Sequence, residues 1–571
     1  MGYLKNCRNN TKIMFGAFLI MVVSFISIPP VITGHNSFEI KNDNDTLKVS
    51  PWGMNAHLTF DSSSKYVEES CKSMSEAGVS IVRIDIYWWY GKMLMQQELC
   101  DRAVYYADKY GLEVLINFPQ LPNRIDAAFL NEWANMIESY VIRYNGRNPV
   151  KIEGESQVRY PKVNYFEVLN EVELNYKKQS IDVNDLYKLI KKSSETLHKA
   201  RYDSVKVVFP GISPFNEFIK SLLDHKENEK SLIDFVDIFN IHCYHKTTDD
   251  FIYAMNLWKD IRREYNCINK PFWITELGNS TWDVAGNMQA MNLVKQYILA
   301  SAYNVERTFY YQFHTFGGNF FCDRNQREEY FGIISNDDNM PYASFWENDG
   351  ACGKALSEGD ALKKVNYNPQ NGDYISVYTL TDRMCDKLQK KGLAIGGENI
   401  VINKVELIDQ NANSINVWNG KISISNKRKR LLTLSPGLFN KVSSKSKLKV
   451  FIESSNSVYK WKGFDLSNSY VAYHHLSTLL NKGATQPSVY KDRSGMVVAS
   501  WRSNKSFVYA LWNDKSNVQI ELNKRTAVRV TNINGKILRM KNNCLGVTNV
   551  PIFVESNEAL IIDVNSINNR G

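Results

Sequence analysis

Between about residues 50 and 320 the chain alternates short, nearly continuous apolar runs with longer stretches whose apolar residues recur three or four positions apart. The apolar runs are SPWGMNAHL, VSIVRIDIYWW, GLEVLINFPQ, VNYFEVLNEVE, VKVVFPGIS, VDIFNIHCYH, KPFWITELG and ERTFYYQFHTF, starting near residues 50, 79, 111, 163, 205, 236, 270 and 306. Short runs of unbroken apolarity are the pattern of strands covered on both faces, as in a parallel sheet. LCDRAVYYADKYG, DLYKLIKKSSETLHKARY and AMNLVKQYILASAYN, which lie between runs, have the period of amphipathic helices. A spacing of about 30 residues is one strand-helix unit. Eight such units predict an α/β fold, a parallel (β/α)8 TIM barrel. An open, doubly wound sheet is the alternative, but no GxGxxG or GxxxxGK follows a strand to support it.

After residue 345 the pattern shortens to a period of two. DYISVYTL, NIVINKVEL, SINVWNGKISIS and KLKVFIES read as strands separated by Gly, Asn and Ser. NSYVAYHHLSTLLNKG then reads as a helix, and GMVVASW, SFVYALWN, AVRVTNINGKILRM and PIFVE return to strands. These features predict accessory all-β (β-sandwich) domains. The expected layout is a barrel over 35–349 plus 461–483, a β domain inserted over 350–460 after the eighth strand, and a C-terminal β-sandwich over 484–571. The helix would close the barrel. A linear string of three domains is the alternative.

Composition narrows the class. The chain is 44% hydrophobic with ordinary charge content, which is globular. Its formal charge of +9 includes Lys5, Arg8 and Lys12 of an N-terminal segment, and the remainder is too mild for this length to indicate a nucleic-acid partner. Those three residues precede MFGAFLIMVVSFISIPPV, the basic-then-apolar pattern of a signal peptide over residues 1–34. A secreted, periplasmic or cell-surface protein is expected, with membrane anchoring only if that segment stays uncleaved. Of nine Cys, Cys7 lies in the segment and the others are scattered, without CxxC or metal-ligand spacing. No metal and no organic cofactor is expected.

The chemistry sits at two strand ends. Glu171 follows YFEVLN in the fourth run and Glu276 follows PFWIT in the seventh. Active sites of barrels gather at the C-terminal ends of strands, and glycoside hydrolysis uses a pair of carboxyl groups. LNE and WITELG together resemble the paired motifs of the retaining (β/α)8-barrel glycoside hydrolase superfamily, which includes cellulases, mannanases, β-xylosidases and β-galactosidases. The resemblance covers roughly residues 50–320. It implies cleavage of β-glycosidic bonds in a poly- or oligosaccharide by double displacement, with Glu171 as acid/base and Glu276 as nucleophile. It further implies that Asn170 binds the sugar 2-hydroxyl, that Arg83 in IVRID supports the nucleophile, and that Tyr244 in IHCYH hydrogen-bonds it while His242 lines the pocket.

Other positions are candidates for sugar contact by place alone: His57 after strand one, Trp88 after strand two, Asn117 at the end of strand three, Trp282 after the nucleophile and Tyr310 on strand eight. FYYQFH lacks the Trp that many members carry near this strand end. Glu167 and Glu173 rival Glu171, since a period of two places all three on one side. The stretches Arg147 to Pro161 and GGNFFCDRNQREEYFG are expected at the rim. YTLTDRMCDKLQKKGLAIGGENIVINKVEL resembles a small β module of secreted polysaccharide-degrading enzymes, with Trp418 and Trp461 as platform or core residues. A non-catalytic sugar-binding barrel and a transglycosidase are the alternative functions.

Overall fold

The computed structural model describes residues 38–562 apart from 43–44, 60–63, 88–92, 121, 123, 177–180, 200–203, 214, 281–283, 285, 315–330, 337–343, 347–360, 368–373, 397–399, 425–430, 454–458, 462–463, 504–505, 523–527, 541–543 and 561. The eight apolar runs form eight strands: β1 (Trp52–Asn55), β2 (Ile81–Asp85), β3 (Glu113–Phe118), β4 (Tyr165–Val168), β5 (Lys206–Val208), β6 (Phe239–His242), β7 (Phe272–Leu277) and β8 (Arg307–Tyr310). They pair in parallel in the order β5-β4-β3-β2-β1-β8-β7-β6. A parallel bridge between Val208 and Ile238 closes the ring into a barrel.

Side chains alternating along the strands fill the barrel in layers. At the N-terminal end Ile81, Leu115, Val208, Ile238, Trp273 and Phe309 form an apolar plug with Tyr165 against it. Gly53 makes room for it, because a Cβ there would come within 2.6 Å of the Phe309 ring. Two residues further along, the inward positions turn polar: Asn55, Arg83, Asn117, Glu167, Asn240 and Thr275 are all buried. This change from plug to polar layer sets the depth of the site.

The barrel helices include Ala127–Arg143, Val183–Leu197, Glu217–Asp224 and Thr248–Glu264, and each begins at an Asp, Asn or Thr whose side chain accepts from a first-turn amide. The place after β8 is taken by Asn468–Leu479. Its Tyr473 hydroxyl donates to Gly53 O at 3.1 Å and its Tyr470 hydroxyl to Ser73 O at 3.0 Å. The Trp52 indole donates to Leu480 O at 2.5 Å and stacks on Tyr297, with centroids 4.5 Å apart.

Between β8 and that helix lies a five-stranded antiparallel sheet in the order Ala361–Tyr367, Tyr374–Leu380, Lys447–Glu453, Ile400–Ile408, Ser414–Ile424. It has its own core, including Ile402, Val405, Leu448 and Val450, against which Trp418 packs. The Trp461 side chain lies outside the described residues. This region is not purely β. TDRMCDKLQKKG forms the helix Asp382–Lys391, started by the Thr381 side chain accepting from Met384 N and ended by Gly392 at φ 74°. Its apolar residues Met384, Cys385 and Leu388 are spaced for a helix face, a period masked by the strands on either side.

The C-terminal six-stranded sheet comprises Phe38–Ile40, Ser488–Lys491, Met496–Ser503, Ser506–Asn513, Ile552–Ser556 and Val528–Asn532. Both its faces are buried. Val497, Ala499, Trp501, Val508, Ala510 and Trp512 join the barrel core, while Met496, Val498, Tyr509 and Leu511 face a second core with Ile520, Leu545 and Val547. That is why GMVVASW and SFVYALWN are apolar almost throughout. Phe38–Ile40, assigned to the barrel from sequence, is instead the edge strand of this sheet, pairing with Val489 to Lys491. Among the described residues no helix is long and apolar enough to cross a membrane. Six described cysteines are free thiols, five of them buried.

If Asn468–Leu479 is part of the barrel, Tyr473→Ala is expected to destabilise the barrel by about 3–5 kcal/mol, the cost of truncating a large buried ring. Denaturant unfolding followed through the barrel's tryptophans checks this.

Candidate active site

Glu276 enters the barrel mouth through a break in strand alternation. Thr275 already faces inward, since its hydroxyl donates to Glu167 Oε1 at 3.1 Å. The register of β7 shifts past Ile274 against both neighbours, and Glu276 comes to lie opposite His242. This bulge turns Glu276 to the same side as Thr275.

Glu171 reaches the mouth by a different device. β4 ends at Val168, and Leu169 and Glu171 take left-handed backbone at φ 72° and 43°. Such a conformation costs a non-glycine residue about 1–2 kcal/mol. It is held by Leu169 N donating to Phe118 O at 3.1 Å and Glu171 N to Gly211 O at 2.8 Å. The period of two read from sequence therefore fails beyond Val168, and the three rival carboxylates separate. Glu167 lies wholly buried within the barrel. Glu173 sits on the one-turn helix Val172–Asn175 and accepts from Ser213 N at 2.7 Å.

Arg83 ties these pieces together. Its Nε donates to Glu167 Oε2 at 2.6 Å, Nη1 to Glu276 Oε1 at 2.7 Å and to Asn55 Oδ1 at 3.0 Å, and Nη2 to Asn170 Oδ1 at 2.6 Å. Glu167 accepts again, at Oε1, from Asn240 Nδ2 at 3.0 Å and Gly211 N at 3.1 Å. The Tyr244 hydroxyl donates to Glu276 Oε2 at 2.5 Å. Burial and the charge of Glu276 push Tyr244 well above the ordinary phenol range, so it remains a donor.

His242 links the two carboxylates. Its Nδ1 lies 2.9 Å from Glu171 Oε1 and 3.4 Å from Glu276 Oε2. A Cβ on Gly211 would stand 1.9 Å from His242 Nε2, so only glycine fits against the ring. One oxygen of each carboxylate and the imidazole nitrogen all lie within 4.8 Å of one another, close enough to hold a metal ion between them. Burial raises Glu276 above the ordinary carboxylate range against the pull of His242 and Arg83. Burial also opposes ionisation of Glu171, but the His242 hydrogen bond and charge outweigh it and hold Glu171 below that range. His242 is raised despite burial by the charges of Glu276 and Glu171.

The remaining sequence candidates divide. His57, Asp85 and Asn117 adjoin at the ends of β1 to β3: Asn117 Nδ2 donates to Asp85 Oδ1 at 2.8 Å, and His57 Nδ1 lies 3.4 Å from Asp85 Oδ2. Tyr310 does not reach the mouth. It is fully buried in the core behind the barrel wall, because Phe309 before it points inward. Tyr311 is the mouth aromatic, 3.4 Å from His57 Nε2 through its hydroxyl and edge-on to Tyr244 and Phe331. Trp88 and Trp282 lie outside the described residues, as does most of GGNFFCDRNQREEYFG. The stretch from Arg147 to Pro161 is not at the rim. It leads from a helix into the start of β4, on the opposite end of the barrel, where Arg159 pairs with Asp108 at 2.7 Å. Sequence reading also missed Asn55 and Asn240, each two positions before a residue it had chosen, His57 and His242.

Residues 140–327, which include both Glu171 and Glu276, match the family model described as glycosyl hydrolase catalytic core. The fold is similar to that of a family 39 glycoside hydrolase from the gut symbiont Bacteroides cellulosilyticus WH2, at 14% identity and TM-score 0.51, over 91% of this chain and 82% of that one. A glycoside hydrolase family 30 subfamily 8 xylanase from Clostridium acetobutylicum aligns at 10% identity and TM-score 0.45, over 90% and 98% of the two chains. An endo-1,4-β-D-mannanase from Thermotoga petrophila aligns at 15% identity and TM-score 0.36, over 51% and 96%. No curated protein sequence matches the chain. The catalytic-core match over residues 140–327, set in a closed (β/α)8 barrel, supports a glycosidase acting on carbohydrate.

Glu173 gives a pH test of this geometry. Burial, opposed by the Ser213 amide, raises it from 4.5 to about 7. The folded state then holds a proton that the unfolded state has lost, so its contribution to stability is fully present below pH 4.5 and lost as pH rises to about 7. Glu173→Gln keeps an acceptor for Ser213 and removes the titration. Denaturation at pH 5 and pH 8 is expected to show the variant gaining on the wild type at pH 8 by on the order of 3 kcal/mol.

Proposed function

We propose that this glycosidase cleaves β-glycosidic bonds with retention by double displacement, with Glu276 as nucleophile and Glu171 as acid/base. The observation that carries the reading is the carboxylate pair at the barrel mouth, with an oxygen of each and His242 Nδ1 all within 4.8 Å of one another. Retaining enzymes hold their carboxyl groups about 5–5.5 Å apart, and inverting ones about 6.5–9.5 Å apart to admit a water. The roles follow from the hydrogen bonds. Both oxygens of Glu276 receive donors, Arg83 on one and Tyr244 on the other. That fixes the carboxylate and favours its ionised form against burial, as a nucleophile requires. Glu171 is the more open of the two, its side chain 22% exposed against 9% for Glu276. Its one acceptor contact among the described residues is with His242, at Oε1, and its other oxygen is left to face a leaving group.

In the first half-reaction Glu276 attacks the anomeric carbon while Glu171 passes a proton to the departing oxygen. That proton is held between Glu171 Oε1 and His242 Nδ1, 2.9 Å apart. Once Glu276 is an ester its charge is gone, and Glu171 acts as base on the incoming water. Asn170, its oxygen held by Arg83, presents its amide to the sugar 2-hydroxyl. We further propose export through the basic-then-apolar segment at residues 1–34, with anchoring if that segment is retained.

Hydrolysis of aryl β-glycosides and β-linked polysaccharides tests this. Glu276→Ala is expected to lose about 10^4-fold or more in turnover, and azide is expected to restore activity with an inverted glycosyl azide product. Glu171→Ala should lose about 10^2- to 10^4-fold, less on substrates with good leaving groups. A folded wild type that binds polysaccharide but turns nothing over would leave a sugar-binding barrel instead.

A further inference from the structure

We propose that Asp85, flanked by His57 and Asn117, reads two adjacent hydroxyls of the sugar bound over Glu276, and that the enzyme therefore selects neutral sugars carrying that free diol. The inference rests on the glycosidase reading of the same mouth.

Asp85 ends β2 and lies opposite Asn117 in register. It shares the mouth with the proposed nucleophile, since both carboxylates approach the same Arg83 Nη1, Glu276 at 2.7 Å and Asp85 at 3.8 Å. Neutralising Arg83 does not account for Asp85. Glu167 and Glu276 already engage the guanidinium at 2.6 and 2.7 Å, whereas Asp85 stands beyond hydrogen-bond reach. Nor is Asp85 saturated by the described residues. A carboxylate has roughly four acceptor positions. Oδ1 receives Asn117 at 2.8 Å, and His57 stands 3.4 Å from Oδ2. Burial disfavours the charge, but His57 and Arg83 overcome this and hold Asp85 ionised down to about pH 2. Beside it, Asn117 Oδ1 is buried without a partner among the described residues. A buried, ionised carboxylate with open acceptor positions is costly until donors fill them. Sugar hydroxyls are donors of the right kind, and two neighbouring ones match the two oxygens of a carboxylate. An anionic substituent presented to this edge meets like charge instead.

The test uses the aryl β-glycoside that the wild type turns over and a set of analogues, each lacking one ring hydroxyl. Asp85→Ala is expected to lower kcat/KM for the parent roughly 10^2-fold. For the analogues missing a hydroxyl that Asp85 reads, already slow with wild type, the same substitution should change kcat/KM less than about threefold, while the remaining analogues fall with the parent. Asp85→Asn keeps an oxygen for Asn117 and covers the case in which the alanine variant does not fold; it should blunt the same discrimination. The pH profile should keep its limbs. An equal fall for every analogue, with a shifted acidic limb, would overturn the proposal and make Asp85 a support for Arg83 and Glu276. Absence of turnover by wild type on every β-glycoside would overturn the catalytic reading beneath it.

Discussion

Arg83 lies inside the barrel, and its guanidinium reaches Asn55 on β1, Glu167 on β4, Asn170 just past β4 and Glu276 on β7. Two buried carboxylates facing one buried cation are tolerable only because the fork geometry satisfies each with a direct bond. Remove the guanidinium and Glu167 and Glu276 are left as uncompensated buried charges, a loss of about 3–5 kcal/mol. The dependence also runs the other way. Glu167 is anchored by Asn240, Thr275 and Gly211, so the position of Arg83, and through it of Glu276 and Asn170, is fixed by strands on the far side of the barrel. Glu276 is thus placed by the polar layer beneath it, and that layer rests on the apolar plug of Trp273, Phe309 and their neighbours.

The proposed catalytic residues stand where the regular geometry of the strands fails. Glu276 faces inward because β7 bulges, and Glu171 because the chain leaves β4 through two left-handed residues. Each departure costs local stability, and each is held by hydrogen bonds to a neighbouring strand or loop. Gly211 serves both sides: its carbonyl receives Glu171 N, its amide reaches Glu167, and its missing side chain admits the His242 ring. Sites that violate local rules while their surroundings enforce them are where function is expected in a folded chain.

The eight strands were legible because strands buried on both faces are written as unbroken apolar runs, and the helices between them keep a different period. Glu171 and Glu276 were legible through LNE and WITELG, and Arg83, Asn170, His242 and Tyr244 through the same resemblance. Tyr310 was chosen where Tyr311 faces the mouth, because counting inward positions needs a register that only the paired strands supply. Glu167 looked like a rival of Glu171 since a strand period says nothing of where the strand stops. The helix at Asp382–Lys391 was hidden in a region dominated by strands. Phe38–Ile40 found its partner near residue 490, a pairing across the whole chain that no local pattern encodes.

The most direct measurement of the central claim is to trap the covalent intermediate. A 2-deoxy-2-fluoro β-glycosyl fluoride of the sugar that the enzyme accepts slows both half-reactions and lets the ester accumulate, and peptide mass spectrometry then locates it. The account requires one sugar per chain, attached to Glu276, released by water or an acceptor with return of activity. A label on Glu171, Glu167 or Glu173, or steady turnover to an inverted product with no label, would contradict it.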